Sequence, residues 1–429
     1  MLAAFPHRSL RQGLWRRGFS TAPELSSPAL NLRKNVFAEF SGLAVKHNSL
    51  NLGQGFPSYG TPSFVKEAAI ESIQRENNQY TRPGGNPELV KVLADLYSPW
   101  YKRELNPLTE IVTFTGAQEG IFCIFLSLLS KGDEVLIVEP FFDAYVNIAL
   151  LLGIKTVGVP LEMDVATKAK YNDPSCRDKF SSKDLKIDLA KLEASITPKT
   201  KMIVLNTPHN PTGKVFSKDE LEGILGVLKR HPQITILSDE VYEFACFEGT
   251  PHERIATYDG MFDRVISLFS AGKTFSCTGW RVGCVATCTS LSLKRGFDVV
   301  MRLCPKSMPT SWQRPINKRD TIVDALEKAN LKPIVPDGGY FVCCNVSSLD
   351  SYNEFRHLEA ETDLPAEVHY QMAKKMCMEQ GLTVIPTSPF YSNVANQPSP
   401  ALVRIAFCKD DATIDGAVKL IESMISTDA

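Results

Sequence analysis

The chain has almost no net charge, no long apolar run and no paired-cysteine motif. Its 429 residues carry 47 Lys and Arg against 48 Asp and Glu, for a formal net charge of -1. So even a balance leaves no electrostatic footprint for nucleic acid or an anionic membrane surface, and neither is expected as a partner. The longest apolar runs, such as Ile121–Leu129 and Ile148–Leu152, fall far short of the ~20 residues that cross a bilayer. Eleven cysteines are scattered without a Cys-x-x-Cys pair, and their number is odd. That fits free thiols in a reducing compartment better than a disulfide framework. Spaced Cys/His clusters are missing too, so no metal site is expected. No short-period repeat is present, which argues against a solenoid. What remains is length enough for a large core, as two domains or one large domain with a lobe.

Acids are absent before Glu24, where Arg8, Arg11, Arg16 and Arg17 alternate with Leu2, Phe5, Leu10, Leu14 and Trp15. A basic, amphipathic, acid-poor start has the composition of a mitochondrial transit peptide. Arg17-Gly18-Phe19-Ser20 resembles a matrix-processing site, so residues 1–19 are expected to be removed and the protein to work in the matrix. A disordered basic tail and an additional cytoplasmic pool are the competing readings.

Hydrophobic period predicts helices over Leu32–Val45, Thr61–Arg75 and Pro87–Leu105, with Pro99 as an interruption. From Glu110, strands alternate with helices: Ile111–Phe114, Glu134–Glu139, Lys155–Leu161, Lys201–Asn206, Ile234–Leu237 and Val265–Phe269. A polar insertion of low apolar content follows Leu161. This alternation argues for an α/β fold with a mostly parallel sheet covered on both faces. Beyond Gly283 a helix over Thr289–Leu303 is expected. Helices at Asn317–Ala329, Val368–Glu379 and Ala412–Ile425, with strands in Lys332–Val346, Leu382–Pro386 and Leu402–Phe407, suit a smaller α+β domain. The expected division is an arm at 34–60 belonging to the small domain, a large domain at 61–290 and a small C-terminal domain at 291–429.

The polar residues sit in one kind of place. Gly116, Phe142, Asn210, Asp239, Tyr242, Ser270 and Lys273 each follow the carboxyl end of a predicted strand. In an open α/β sheet those ends meet at the ligand crevice. Around Lys273 the chain reads Ser270-Ala271-Gly272-Lys273-Thr274, and Arg281 follows eight positions later. Small residues let amides approach an anion, an arginine clamps it, and a lysine stripped of its charge attacks a carbonyl. A strand followed by a loop with a solvated lysine is the plain alternative. Pyridoxal phosphate needs this set: an amine for a Schiff base, a carboxylate for its ring nitrogen, donors at its phenolate oxygen and an anion site. A free lysine has a pKa about three units above neutral pH, so burial and nearby charge must favour the neutral amine.

Four segments carry a family resemblance: Asn51-Leu52-Gly53-Gln54-Gly55-Phe56-Pro57, Thr207-Pro208-His209-Asn210-Pro211-Thr212-Gly213-Lys214, Ser238-Asp239-Glu240-Val241-Tyr242-Glu243 and the lysine segment. On these the chain resembles the fold-type I pyridoxal-phosphate aminotransferases of class I. Within that class it is similar to the kynurenine aminotransferases, which overlap with cysteine-S-conjugate β-lyases and glutamine transaminase K. The similarity runs from about Asn35 to Ile425. It implies a large domain with a seven-stranded, mostly parallel sheet, a homodimer, and amino-acid and 2-oxo-acid substrates. Kynurenine with 2-oxoglutarate is the expected pair, and β-elimination from cysteine conjugates on the same site is the alternative.

By position, the resemblance implies that Lys273 is the catalytic residue and holds the cofactor, and that Asp239 pairs with its pyridine nitrogen. Asn210 and Tyr242 would bond the phenolate oxygen, and Phe142 would stack on the ring, with Phe141 the alternative. Ala117, Gln118, Ser270 and Arg281 would bind the phosphate, joined by Tyr80 from the partner subunit. The Ala117 and Gln118 amides would open a helix, where an anion is favoured. Arg404 would grip the substrate carboxylate with two hydrogen bonds, and Gly55 and Asn210 would line the substrate pocket.

One stretch departs from that family. Only 47 residues, Cys284 to Asn330, separate Gly283 from Leu331, where the family carries a long interdomain helix and an aromatic segment that reaches the partner's site. With 284–315 shortened, a catalytically impaired cofactor-binding relative is a third reading. Phe37 also stands where close relatives often have tryptophan, which leaves substrate preference open.

Overall fold

The computed structural model describes residues 26–30, 32–33, 35–247, 249–288, 313–355 and 366–426. The expected transit segment 1–19 and the expected helix Thr289–Leu303 lie outside these residues.

Seven strands build the large sheet: β1 (Ile111–Thr115), β2 (Glu134–Glu139), β3 (Lys155–Glu162), β4 (Thr200–Asn206), β5 (Thr235–Asp239), β6 (Val265–Ser270) and β7 (Val282–Thr287). They lie in the order β1-β7-β6-β5-β4-β2-β3, and a two-residue strand, Lys186–Ile187, adds an eighth at the β3 edge. β3, β2, β4, β5 and β6 pair in parallel, whereas β7 runs antiparallel to both β1 and β6. Every residue of β2 and β7 is buried, as expected of strands covered on both faces. Helices Ala117–Leu128 and Asp143–Leu152 cover one face, and Pro87–Tyr101 and Lys218–Lys229 the other. Lys218–Lys229 opens on a capping box: the Ser217 hydroxyl accepts from the Glu220 amide (3.3 Å) and the Glu220 carboxylate accepts from the Ser217 amide (2.9 Å).

A second sheet orders Ile385–Pro386, then β9 (Leu402–Ala406), β8 (Phe341–Asn345), Pro333–Val335 and Phe180–Ser181. Its core includes Ile322, Leu326, Met372 and Ile421, together with Val36, Phe40 and Leu52 from the arm. Among the described residues no helix is long and apolar enough to cross a membrane.

Several local expectations need correcting. The helix Pro87–Tyr101 runs through Pro99, which falls in its last turn, so only the final hydrogen bonds are affected. The expected strand Leu382–Pro386 is two pieces serving two sheets: Leu382–Thr383 pairs with Leu50–Asn51, and Ile385–Pro386 with β9. The polar insertion after Leu161 contains a helix, Val165–Asn172, and the strand Phe180–Ser181. That strand lies in the stretch assigned to the large domain but extends the second sheet.

The two sheets are tied near the cavity described below. Glu139, the last residue of β2, is fully buried and accepts hydrogen bonds from the Ser392 amide (2.7 Å), the Ser392 hydroxyl and the Asn396 amide nitrogen Nδ2 (2.7 Å). Arg33 donates to the carbonyls of Pro389 (3.4 Å) and Tyr391 (3.2 Å) in the same segment. Glu139→Ala would remove the charged acceptor of all three bonds, whose donors lie on exposed Ser392 and half-buried Asn396. It is expected to cost about 2 kcal/mol in urea denaturation, and an unchanged midpoint would show that the contact contributes nothing.

Candidate active site

The carboxyl ends of the parallel strands open on a cavity of about 270 Å³. Asp239 ends β5, Ser270 ends β6, and Phe142 and Asn210 lie just beyond β2 and β4. Arg281 arrives differently. It precedes β7, whose antiparallel direction starts that strand at the same edge, with Gly283 opposite Ser270. Gly55, Ala117, Gln118, Phe142, Asn210, Asp239, Tyr242, Ser270, Lys273, Arg281 and Arg404 all line the cavity. Tyr80 does not; its side chain is fully exposed on the surface. Phe141 is buried beneath Arg33, 5.4 Å from that guanidinium, so of the adjacent pair Phe142 is the one facing the cavity.

Lys273 sits in a single turn of helix, Ala271–Thr274. Its Nζ donates to the Gly55 carbonyl (2.8 Å) and stands 5.4 Å and 5.7 Å from the ring centroids of Tyr242 and Tyr340. Tyr340 also fixes the lysine backbone, its hydroxyl donating to the Lys273 carbonyl at 2.8 Å. Burial, with Arg404 and Arg281 adding to it, holds the amine down to about 8. About one amine in ten is therefore uncharged at pH 7, against fewer than one in about a thousand for a free lysine.

Burial pushes the Asp239 carboxyl up to about 6, while hydrogen bonds from the Tyr145 hydroxyl and the Val241 amide (3.3 Å) hold it back. Asn206 links the ends of β4 and β5, donating to the Asp239 carbonyl (2.9 Å) and accepting from the Asn210 amide (2.7 Å). Behind this turn, Glu240 and Glu243 face away from the cavity and both bond Arg254. His252 joins them at 2.8 Å from Glu240, and the three side chains lie close enough to hold a cation. The Arg254 guanidinium already supplies positive charge there.

Arg404, on β9, is 1% exposed. It donates to Asn210 Oδ1 (3.2 Å) and the Gly53 carbonyl (2.6 Å), and its Nε is buried without a partner. Phe341, Phe37 and Phe390 surround the guanidinium at 4.1, 4.9 and 5.5 Å. Burial lowers it to about 10, still a cation at neutral pH.

The anion side of the cavity is the start of helix Ala117–Leu128. Gly116 takes φ +83° there with no side-chain cap, so the Ala117 and Gln118 amides have no partner within the helix. A Cβ on Gly116 would stand 2.3 Å from Arg281 Nη2, and one on Gly283 would stand 2.6 Å from the Ala117 nitrogen. Only glycine allows both approaches. Free amides, Ser270 and Arg281 thus form a cradle that a side chain would fill, as a phosphate requires. With the Asp239 carboxyl and the Lys273 amine across the cavity, the donor set fits pyridoxal phosphate.

A sequence profile of the family aminotransferase class I and II matches residues 47–303. The chain belongs to that family. This aminotransferase is 40% identical over 408 residues to a kynurenine–oxoglutarate transaminase of Dictyostelium discoideum, covering 89% of the chain and 92% of the relative. It is 35% identical over 442 residues to human kynurenine–oxoglutarate transaminase 3, covering 95% and 93%. Among solved structures it superposes on a Saccharomyces cerevisiae protein described as a candidate kynurenine aminotransferase. The TM-score is 0.81 at 30% identity, over 94% of this chain and all of that one. The enzyme is a transaminase of fold-type I architecture.

Sequence reasoning passed over Tyr145, Asn206 and Tyr340. Tyr145 had a signal, lying three residues beyond Phe142 at a helix start and so on the same face. Between about pH 4 and 6, the raised Asp239 carboxyl binds a proton more readily in the folded than in the unfolded chain. Cofactor-free protein therefore loses stability as pH rises through that window, by about 3 kcal/mol for a shift from 3.8 to about 6. Asp239→Asn should remove this component. Urea midpoints at pH 4 and pH 7 check it, and an identical pH slope in both proteins would refute it.

Proposed function

We propose that this aminotransferase holds pyridoxal phosphate and transfers the amino group of kynurenine to 2-oxoglutarate, giving glutamate and a 2-oxo acid that closes on its own aryl amine, with loss of water, to kynurenic acid. The observation that carries this is one cavity in which Lys273, Asp239, Arg404 and the uncapped helix start at Ala117 all face inward. The names of the relatives support the choice of substrates.

Bound pyridoxal phosphate supplies an electrophilic carbonyl and an electron sink next to the substrate's α-carbon. Lys273 would hold the cofactor through its amine and would move the substrate's α-proton. Asp239 would hold the ring nitrogen, and a positive partner there would favour its carboxylate form. Tyr145 and the Val241 amide keep the carboxylate aimed. Asn210 accepts from Arg404 through its oxygen, so its NH₂ group is free to donate to the phenolate oxygen beside the Tyr242 hydroxyl. Phe142 offers its face to the ring. Ala117, Gln118, Ser270 and Arg281 take the phosphate. Arg404 turns its unpaired Nε and one Nη to the substrate carboxylate, and the three phenylalanines keep water away and offer an apolar wall to an aromatic side chain. Gly55 leaves room beside Phe341. Both acids use the same arginine, so one must leave before the other enters.

The proposal includes a homodimer, in which the exposed Tyr80 reaches the partner's phosphate site, and import into the mitochondrial matrix with loss of residues 1–19. Reconstituted protein is expected to show a visible cofactor absorbance that Lys273→Ala abolishes. Kynurenine should convert it to the aminated form, and 2-oxoglutarate should restore it. Conversion by other amino donors only would replace the substrate, and pyruvate release from a cysteine conjugate would mark β-elimination. No conversion with any donor would sink the transfer mechanism.

A further inference from the structure

Four successive backbone carbonyls in the Gly53–Phe56 segment each accept a hydrogen bond from a cationic side chain. The Gly53 carbonyl accepts from Arg404 Nη2 (2.6 Å) and the Gly55 carbonyl from Lys273 Nζ (2.8 Å). The Gln54 and Phe56 carbonyls both accept from Lys409 Nζ, at 2.9 Å each. The backbone bends at Gly53, Gln54 and Phe56, and the bonds themselves alternate, Lys409 taking the second and fourth carbonyls. The segment lies along the continuation of β9: the Ala406 amide donates to the Leu52 carbonyl (2.7 Å) and the Ser58 amide to the Cys408 carbonyl (3.3 Å). Arg404 and Lys409, five residues apart on one stretch of chain, therefore grip the segment from its two sides.

Lys409 is 2% exposed, and its amine bonds carbonyls with the Phe56 ring 4.3 Å away. Burying an ammonium group against neutral oxygens is costly. An apolar residue would suffice if filling space were all the position required. Nor can the segment shift forward, because its glycines are already in contact. A Cβ at Gly53 would lie 2.8 Å from Ile385 and one at Gly55 would lie 2.4 Å from the Phe341 ring.

We propose that Lys409 is a positioning residue: by holding the Gln54 and Phe56 carbonyls from behind, it presents the Gly53 and Gly55 carbonyls to Arg404 and Lys273. It thereby sets the aim of the carboxylate-binding fork and of the reactive amine. The inference rests on Arg404 and Lys273 having those two roles.

Lys409→Met keeps the length of the side chain and removes its donors, whereas Lys409→Arg keeps charge and donors. In cofactor-free protein, calorimetry reads the affinity for glutarate, a dicarboxylate that cannot react, and mixing experiments read the rate of pyridoxal phosphate capture. For Lys409→Met, glutarate affinity is expected to fall about tenfold, the weight of one charged hydrogen bond. Capture should slow severalfold. In loaded enzyme, KM for both acids should rise about tenfold with kcat within about threefold. Lys409→Arg should stay within about threefold of the unsubstituted protein throughout. Should Lys409→Met not fold, Lys409→Leu gives the same comparison with a shorter arm that also lacks donors. A variant without the ammonium that loses urea stability but keeps glutarate affinity, capture rate and KM would overturn the proposal. If the unsubstituted protein neither binds glutarate nor captures pyridoxal phosphate, the reading of the cavity falls, and the role of Lys409 with it.

Discussion

A guanidinium buried to 1% exposure, with both its hydrogen bonds on neutral oxygens, is the constraint around which the cavity is arranged. A buried charge must be paired or surrounded by groups that substitute for water. Here Asn210 comes from the loop after β4, Gly53 and Phe37 from the arm, and the Phe341 and Phe390 faces from two further segments. Moving any of these leaves the charge worse solvated. The orphaned Nε turns this cost into a binding preference, because a carboxylate is the partner that completes the set.

Much of this arrangement is legible in the sequence because parallel strands are read as apolar runs, and the polar residue after each run marks a strand end. Asp239, Ser270, Phe142 and Asn210 are found that way. Arg404 is conspicuous as a lone charge within an apolar strand. Other parts depend on tertiary contacts that no local pattern encodes. Phe180 sits in a polar insertion and looks like loop, yet its strand pairs with Pro333–Val335 in the second sheet. Tyr145 reads as a core aromatic until Asp239 is placed beside it. Pro99 predicts an interruption by its chemistry, but its place in the last turn makes that chemistry inexpensive. Lys409 resembles any lysine before an acidic pair, and only the path of the arm shows what its amine touches.

The cofactor-facing residues are held from behind as well as from within. In Ser238–Glu243, Asp239 and Tyr242 face the cavity while Glu240 and Glu243 are bonded by Arg254 and, through Glu243, by the Tyr97 hydroxyl at 2.7 Å. Across the cavity, Glu139 secures the segment that carries Phe390, three residues before Phe142 on its own chain. Aim is set by the neighbours of the reacting groups, through charged hydrogen bonds that resist displacement.

The antiparallel direction of β7 sets where the chain leaves the large sheet. A parallel strand after Lys273 would have needed a crossover of about a dozen residues or more. Instead β7 starts at the cavity, beside Arg281, and its six residues carry the chain about 20 Å to the opposite edge of the sheet. The chain therefore leaves β7, at Thr287, on the side of the sheet remote from Lys273. Among the described residues of the short stretch from Cys284 to Asn330, Lys318 donates to the Lys409 carbonyl, beside the segment that Arg404 and Lys409 hold.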